Sequence, residues 1–216
     1  MTMKSVDLPH LRSVVLAGHA GAGKTTLAEQ LLFRAGAIPR LGRVDDGSAH
    51  LDYEPEEQKR RESLSLAVGT FESDGTRISL VDTPGYMVGP EAESEALVRR
   101  ASRLLVAGAS LRVPLIAVVL RRGYGLGAQA MTGGSLHEPV LTVAWPGAHL
   151  GPMGLEGAVR LALRKELEAI PDPEQREERV RELTAAAQDN AAALNAAQIF
   201  EIDDVIDPAD SRRWIT

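Results

Sequence analysis

The sequence predicts an α/β fold with a mostly parallel sheet. Three observations carry that expectation. Short apolar runs alternate with helix-period segments along most of the 216 residues, the order that builds βαβ units. The run Val14-Val15-Leu16-Ala17 leads without a gap into Gly18-His19-Ala20-Gly21-Ala22-Gly23-Lys24-Thr25. That is a strand followed by the loop pattern G-x-x-x-x-G-K-[ST], which opens a helix in P-loop folds. Residues 113–120 form a continuous apolar stretch, which suits a strand buried on both faces of a parallel sheet.

The elements follow in order. Residues 13–17 read as a buried strand, and residues 25–35 as a helix with Leu27, Leu31 and Leu32 on one face. Residues 36–63 are polar, Gly-rich and charged, and read as a long loop with at most a helical turn. Residues 64–71 and 76–81 read as two strands, and Asp74-Gly75 between them is a strong hairpin signal. Asp82-Thr83-Pro84-Gly85 then reads as a loop. Residues 91–107 read as a helix, with Leu97, Leu104 and Leu105 at helical spacing. After the apolar stretch, residues 123–134 are Gly-rich and read as a tight turn into a short helix. Residues 140–144 read as a strand. Residues 155–170 read as one amphipathic helix, with Leu155, Val159, Leu163, Leu167 and Ile170 on one side. Pro171-Asp172-Pro173 ends it. Residues 174–197 read as one long Ala-rich helix striped by Val180, Leu183, Ala187 and Leu194, and Asp207-Pro208 as the end of the ordered pattern. The same order of elements also suits a single P-loop-type sheet completed by the second half of the chain.

Composition narrows the function classes. An apolar fraction of 44% and a charged fraction of 25% are those of a globular chain, with room for one domain or two small ones. A net charge of −6 argues against nucleic-acid or membrane-surface partners. No run of 18 apolar residues offers a membrane span. Residues 1–10 carry one Lys and no apolar centre, unlike a secretory signal. A cytoplasmic protein is the expectation. The absence of cysteine excludes disulfides, thiolate metal sites and Cys nucleophiles. His10, His19, His50, His137 and His149 lack metal-ligand spacing and read as surface or loop residues. The charge run at residues 174–181 reads as a solvated helix face.

The chemistry of residues 18–26 can be read residue by residue. Gly18, Gly21 and Gly23, with His19, Ala20 and Ala22 between them, let the backbone wrap phosphates and aim N–H groups at them. Lys24 supplies a point charge for the β- and γ-phosphates, and Thr25 a hydroxyl for Mg²⁺. Thr26 belongs to the helix N-terminus, which favours anions. Such a site needs a second acidic element. Asp82 ends an apolar strand and opens D-x-x-G, so it would hold Mg²⁺ through water while the Gly85 N–H senses the γ-phosphate.

On these residues the N-terminal part resembles the GTPase domain of elongation factor G-like proteins. Residues 18–26, Leu41-Gly42-Arg43-Val44-Asp45-Asp46-Gly47, Tyr53-Glu54-Pro55-Glu56-Glu57-Gln58-Lys59-Arg60-Arg61 and residues 78–85 carry the resemblance. It implies GTP (or ATP) and Mg²⁺ as ligands, and it puts Ser65 near the switch hydroxyl that closes on the metal. Two departures stand out. Tyr86 occupies the place of the family's water-orienting His, and no Asn-Lys-x-Asp sequence follows, so guanine recognition by the family's usual route is missing.

From Asp82 onward the chain resembles the C-terminal carboxyltransferase domain of acyl-CoA carboxylase β subunits. Residues 82–93, 121–131 and 151–159 carry it, with Phe200-Glu201-Ile202-Asp203-Asp204-Val205-Ile206-Asp207-Pro208-Ala209-Asp210 at the end. The resemblance implies a partial crotonase-like (ClpP/crotonase) α/β segment. It also implies transfer of a carboxyl group from biotin, carried on a partner, to an acyl-CoA. Enolate oxygens in such chemistry are held by backbone N–H groups of Gly-rich turns. By the resemblance Gly127 and Ala128 are the biotin-side donors, and Gly85-Tyr86-Met87 line the same side. The family's N-terminal domain, which supplies the acyl-CoA donors, has no counterpart in the sequence, and neither has the first part of the C-terminal domain.

The sequence therefore divides into residues 1–85, a P-loop GTPase-like segment, and residues 86–216, a carboxyltransferase-like segment. Both are incomplete, and they meet at a shared Asp-Thr-Pro-Gly. The leading expectation is carboxylase kinship, with biotin carrier and acyl-CoA as partners and a homo-oligomer left open. One alternative is a Mg-nucleotide binding module. The other is an inactive α/β protein that binds a partner.

Overall fold

A computed structural model describes residues 7–84 and 97–215. Gly85, Tyr86 and Met87, and residues 91–96 of the expected helix, lie outside the described residues. The chain forms two compact units, Met1–Glu95 and Ala96–Thr216.

In the first unit, β1 (Leu11–Leu16) leads through the Gly-rich loop to α1 (Lys24–Arg34). After the loop that follows, a short helix α2 (Pro55–Arg60) precedes the hairpin of β2 (Ala67–Ser73) and β3 (Thr76–Asp82). Asp74 and Gly75 both have positive φ (46° and 75°) at the turn, the twist-matched geometry that Asp-Gly favours. The sheet order is β1-β3-β2, with β1 parallel to β3 and β2 antiparallel to it. One face packs on α1 through Ala28, Leu32, Ala67 and Leu80, joined by Leu51 from the loop. Gly69 is needed there, because a Cβ would lie 2.8 Å from the Leu32 methyls. On the other face Val81 is flanked by Val15 and Val68 in register, both more than half exposed. The expectation of a buried first strand fails for this reason. β1 is an edge strand bonded on one side, with only part of one face covered.

The second unit is built from pairs of parallel strands. Its first helix is α3 (Leu97–Ala109). Then come β4 (Ile116–Val119), β5 (Arg122–Tyr124), α4 (Gly125–Met131), β6 (Leu141–Ala144) and β7 (His149–Gly151). α5 (Leu155–Ala162), α6 (Arg164–Glu168), α7 (Pro173–Asn190), α8 (Ala193–Gln198), β8 (Asp204–Val205) and α9 (Ser211–Ile215) complete it. One sheet has the order β4-β6-β8 and the other pairs β5 with β7, all parallel. Among the described strands none of the second unit pairs with β1, β2 or β3, so the expected single completed sheet is not seen. The core gathers Ala144, Ala148, Leu150, Ala193, Ala196 and Ile202.

Four expectations are corrected here. β4 is half-buried along its length rather than buried on both faces. Residues 155–170 form two helices, because Leu163 leaves helical geometry (φ −107°, ψ 23°). Val159 on the first helix and Leu167 on the second are both buried, as the stripe expects. Residues 174–197 also break, at Ala191-Ala192. There the Ala191 carbonyl accepts from Leu150 N (2.8 Å), and Ala193 N donates to the Ala148 carbonyl (2.9 Å). An antiparallel bridge to His149 wins over continued helix. Finally, order continues past Asp207-Pro208. Asp207 caps a short 3₁₀ turn at Pro208–Asp210, and Trp145 Nε1 donates to Ser211 Oγ (2.9 Å) at the start of α9.

Candidate functional site

The loop of residues 18–23 forms because its glycines take conformations that side chains resist. Gly21 and Gly23 have φ of 70° and 85°, with open space where a Cβ would stand. Gly23 is the N-cap of α1 in the left-handed region, so the N-terminal amides of the helix follow directly on the loop. The Lys24 ammonium folds back over the loop and donates to the Gly18 carbonyl (3.2 Å) and the His19 carbonyl (3.0 Å). Burial lowers its pKa, and the charges of Asp82 and Glu62 resist that. His19 turns its Nδ1 to the Ala20 carbonyl (2.7 Å) within the loop.

Asp82 ends β3 beside this loop and is 1% exposed. Neither of its carboxylate oxygens receives a hydrogen bond of ordinary geometry. Burial pushes the carboxyl above the usual range. The Thr25 hydroxyl beside it and the Lys24 ammonium pull it partly back, while Asp52 adds repulsion. A buried, donor-poor carboxylate is costly unless a cation or donor completes it. The next residue, Thr83, ties the strand end to β1 by donating to the Leu16 carbonyl (2.8 Å).

The loop of residues 36–66 is held over the site by three buried acids. Glu29 on α1 accepts from Gly42 N (3.0 Å), His50 N (2.7 Å) and Leu51 N (3.1 Å), and its Oε2 pairs with His50 Nδ1 (3.0 Å). Glu57 on α2 accepts from Glu54 N, Leu64 N and Ser65 N at 2.9–3.1 Å. Burial would raise the Glu57 pKa, but these N–H donors outweigh it and hold it low. They also explain why β2 starts at Ala67, since the Leu64 and Ser65 amides are already committed. Asp52 accepts from Ser63 Oγ (2.6 Å). Burial raises its pKa, the Ser63 bond opposes that, and Glu57 and Glu29 add repulsion.

Ser63 Oγ also lies 2.9 Å from Thr25 Oγ1. The single Ser63 proton goes to Asp52, so Thr25 is the donor in that contact and keeps its lone pairs. Ser65, expected near the metal, instead donates to Glu54 Oε1 (2.8 Å). The hydroxyl brought to Thr25 is thus Ser63, two residues earlier. The left-handed conformation of Arg61 (φ 57°) after α2 turns the chain back so that Ser63 arrives there. The sequence reading passed over Glu29, Asp52, Glu57 and Ser63. The available signal was a set of acids in a loop with few apolar residues to anchor it. Among the described residues no cluster of three or more His, Cys, Asp or Glu could hold a metal by itself.

The structure brings Lys24, Thr25 and Asp82 together, with Thr26 exposed in the first turn of α1. In the second unit, Gly127 and Ala128 lie inside the first turn of α4, whose N-cap is Tyr124. The sharp turn sits just before them, at Gly125 (φ 63°). β5 and β7 are parallel neighbours, with Tyr124 opposite Gly151. The chain after β7 enters α5 at Gly154. Two Gly-rich turns therefore stand side by side, each leading into a helix. A Cβ on Gly125 would lie 3.1 Å from the Pro152 carbonyl.

The carboxyl transferase domain matches residues 77–216, well over half of the chain. The chain belongs to the carboxyl transferase domain family. The elongation factor Tu GTP binding domain matches residues 9–88. The chain thus joins a GTP-binding-domain segment to a carboxyltransferase segment, and the two matches overlap across the end of β3. The methylmalonyl-CoA carboxyltransferase 12S subunit of Propionibacterium freudenreichii subsp. shermanii is 40% identical over 139 residues, which are 64% of this chain and 26% of that protein. The elongation factor G-like protein of Mycobacterium tuberculosis is 45% identical over 76 residues, 35% of this chain and 11% of that protein. A solved structure of a single-chain, multi-domain long-chain acyl-CoA carboxylase superposes with a TM-score of 0.60 at 33% identity, covering 88% of this chain and 25% of that one. The transcarboxylase 12S structure with methylmalonyl-CoA and methylmalonic acid bound gives 0.54 at 27% identity, covering 71% and 36%. The chain spans about a quarter of the carboxyltransferase relatives it matches. The crotonase-type fold of the carboxyltransferases is shared by the second segment. No helix among the described residues is long and apolar enough to cross a membrane.

Proposed function

We propose that the first unit binds a Mg²⁺–nucleoside triphosphate, GTP or ATP, in the cytoplasm. The observation that carries this reading is Asp82. It is a buried carboxylate whose oxygens accept no hydrogen bond of ordinary geometry, beside Lys24 and Thr25 next to a Gly-rich loop. The residues fit the metal: Thr25 offers free lone pairs, and Asp82 offers a negative charge that acts through water. Bound Mg²⁺ would neutralise phosphate charge. The amides of residues 18–26 would cradle the phosphates, and Lys24 would leave the Gly18 and His19 carbonyls for them. Ser63, rather than Ser65, would be the second hydroxyl beside the cation, since its Oγ lies 2.9 Å from Thr25 Oγ1, and the Gly85 amide belongs to the proposed phosphate-sensing turn. The test is a fluorescent GTP titration with Mg²⁺, beside Lys24→Ala and with ATP as competitor. Saturable binding lost in the variant, with ATP competing equally, is the expected result. A Lys24→Ala protein that binds as wild type does would sink the reading.

The side-by-side turns of the second unit favour a second activity. We infer that the N–H groups at the start of α4, with Gly127 and Ala128, contact the ureido oxygen of biotin carried on a partner, next to an acyl-CoA. Backbone donors suit a developing oxyanion because they carry no titratable proton. Retention on biotin resin that disappears in Gly127→Val is expected. Equal retention of both proteins would overturn it.

A further inference from the structure

Next to the phosphate loop, a cavity of about 270 Å³ opens between α1 and the turn that follows the long loop's first anchor. Thr26 and Gln30 form one wall, and Leu41, Arg43, Val44 and Asp45 the other. Thr26 and Gln30 are four residues apart, so they share one face of the helix. The opposite wall is fixed in shape. Gly42 N is clamped to Glu29, Arg43 N and the Arg43 carbonyl both bond Ser48, and Gly47 N bonds the Val44 carbonyl. Gly42 has no room for a side chain, since a Cβ would stand 2.6 Å from the Ser48 carbonyl. The cavity is therefore built into the fold.

We propose that this cavity receives the nucleoside of the bound nucleotide, in place of an Asn-Lys-x-Asp loop. The inference rests on the phosphate-binding reading above. In that reading Lys24 marks the β- and γ-phosphates and Thr25 the metal, so the next amide, at Thr26, is the α-phosphate end. The ligand continues from there into the space lined by Thr26 and Gln30. The wall chemistry suits a sugar and the face of a base. Leu41 and Val44 supply apolar surface, and the Arg43 guanidinium, exposed beside Asp45 (3.8 Å), can lie over a ring. Size decides how much is enclosed. The cavity lies just below the range of about 300–1,000 Å³ typical of drug-sized ligands, so part of the base stays in solvent. Adenine and guanine edges are then read weakly or not at all.

Binding of GTP, ATP and tripolyphosphate, each with Mg²⁺, tests this by calorimetry on the full chain. Wild type should prefer either nucleotide over tripolyphosphate by about tenfold or more, with GTP and ATP alike. Gln30→Trp fills the cavity and should bring the nucleotides close to tripolyphosphate, whose own affinity stays unchanged and reports an intact loop. Arg43→Ala should move the ratio the same way without adding bulk. Wild type that binds tripolyphosphate as tightly as nucleotide, or both variants keeping the wild-type ratio, would overturn the cavity assignment and leave the phosphate loop standing. Wild type that binds none of the three would remove the phosphate reading and this inference with it.

Discussion

Replacing Asp82 by Asn should raise the stability of the ligand-free protein and lower its response to Mg²⁺–nucleotide. The side chain is 1% exposed and its two oxygens accept no ordinary hydrogen bond. An unpaired buried charge costs more than the roughly 1–3 kcal/mol of an unpaired neutral polar group. The amide of Asn still leaves polar atoms unpaired, and the attraction from half-exposed Lys24 is lost, though solvent screens it to under about 1 kcal/mol. The net gain expected is about 1–2 kcal/mol, or roughly 2–8 °C in Tm for a chain of this length. The pH dependence has a definite sign. Burial raises the Asp82 pKa in the folded state, so the folded chain binds more protons than the unfolded one just above the ordinary carboxylate range. Stability therefore falls as pH rises through that window and stays lower above it. Asp82→Asn should remove that share of the slope and leave the similar one from Asp52. With ligand at 100 times its Kd, wild type gains about 2.7 kcal/mol, and the variant should gain less because the cation loses its anionic anchor. Thermal unfolding between pH 4 and 8 (roughly the carboxylate-to-neutral range), with and without Mg²⁺–GTP, reads all of this. A ligand-free variant less stable than wild type at neutral pH would refute the idea that this carboxylate waits for a cation.

Gly42→Ala forces a methyl against the Glu29 carboxylate and the Ser48 carbonyl, and should cost about 1–3 kcal/mol in chemical denaturation. Glu57→Gln keeps the shape of the α2 clamp but halves its accepting oxygens, against three backbone donors. It should cost about 1–3 kcal/mol, with faster amide exchange at Leu64 and Ser65. In wild type this stabilisation is present above the ordinary Glu pKa and is lost as pH falls through the lowered one. Arg61→Gly relieves a left-handed conformation at the end of α2 and should stabilise by about 0.5–1 kcal/mol in chemical denaturation.

The local signals in the sequence were the ones that needed no tertiary knowledge. The phosphate loop is legible because its glycines, Lys24 and Thr25 act within eight consecutive residues. The hairpin at Asp74-Gly75 is legible because turn chemistry fixes two positive φ values. What could not be read came from competition between distant groups. Ser65 and Ser63 are equivalent as hydroxyls; only the capture of Ser65 by Glu54 and of Ser63 by Asp52 separates them. The break at Ala191-Ala192 looks helical by propensity, and yields to the edge of β7. The acids that order the long loop read as surface charge, because nothing in a single sequence says which carboxylate is buried under backbone donors.

The junction of the two segments bears on the strand that was expected to be buried. The carboxyl transferase match begins at residue 77, inside β3, and the GTP-binding-domain match runs to residue 88. Both segments therefore claim the same strand and the Asp-Thr-Pro turn after it. A strand has two edges, and β3 gives one to β1 and the other to β2. Leu80 and Asp82 are packed inward on that sheet, and Thr83 is tied to β1. No edge of β3 is left for another sheet. Within the second unit β4 pairs with β6 alone among the described strands, and its residues stay half-buried. The run at residues 113–120 has the apolar content of a central strand, yet among the described strands β4 is an edge. The same reasoning ranks the two proposed activities. The proposed phosphate site has Lys24, Thr25 and Asp82 on α1 and β3 of one unit, whereas the carboxyl transferase match begins inside a strand that this unit's sheet uses.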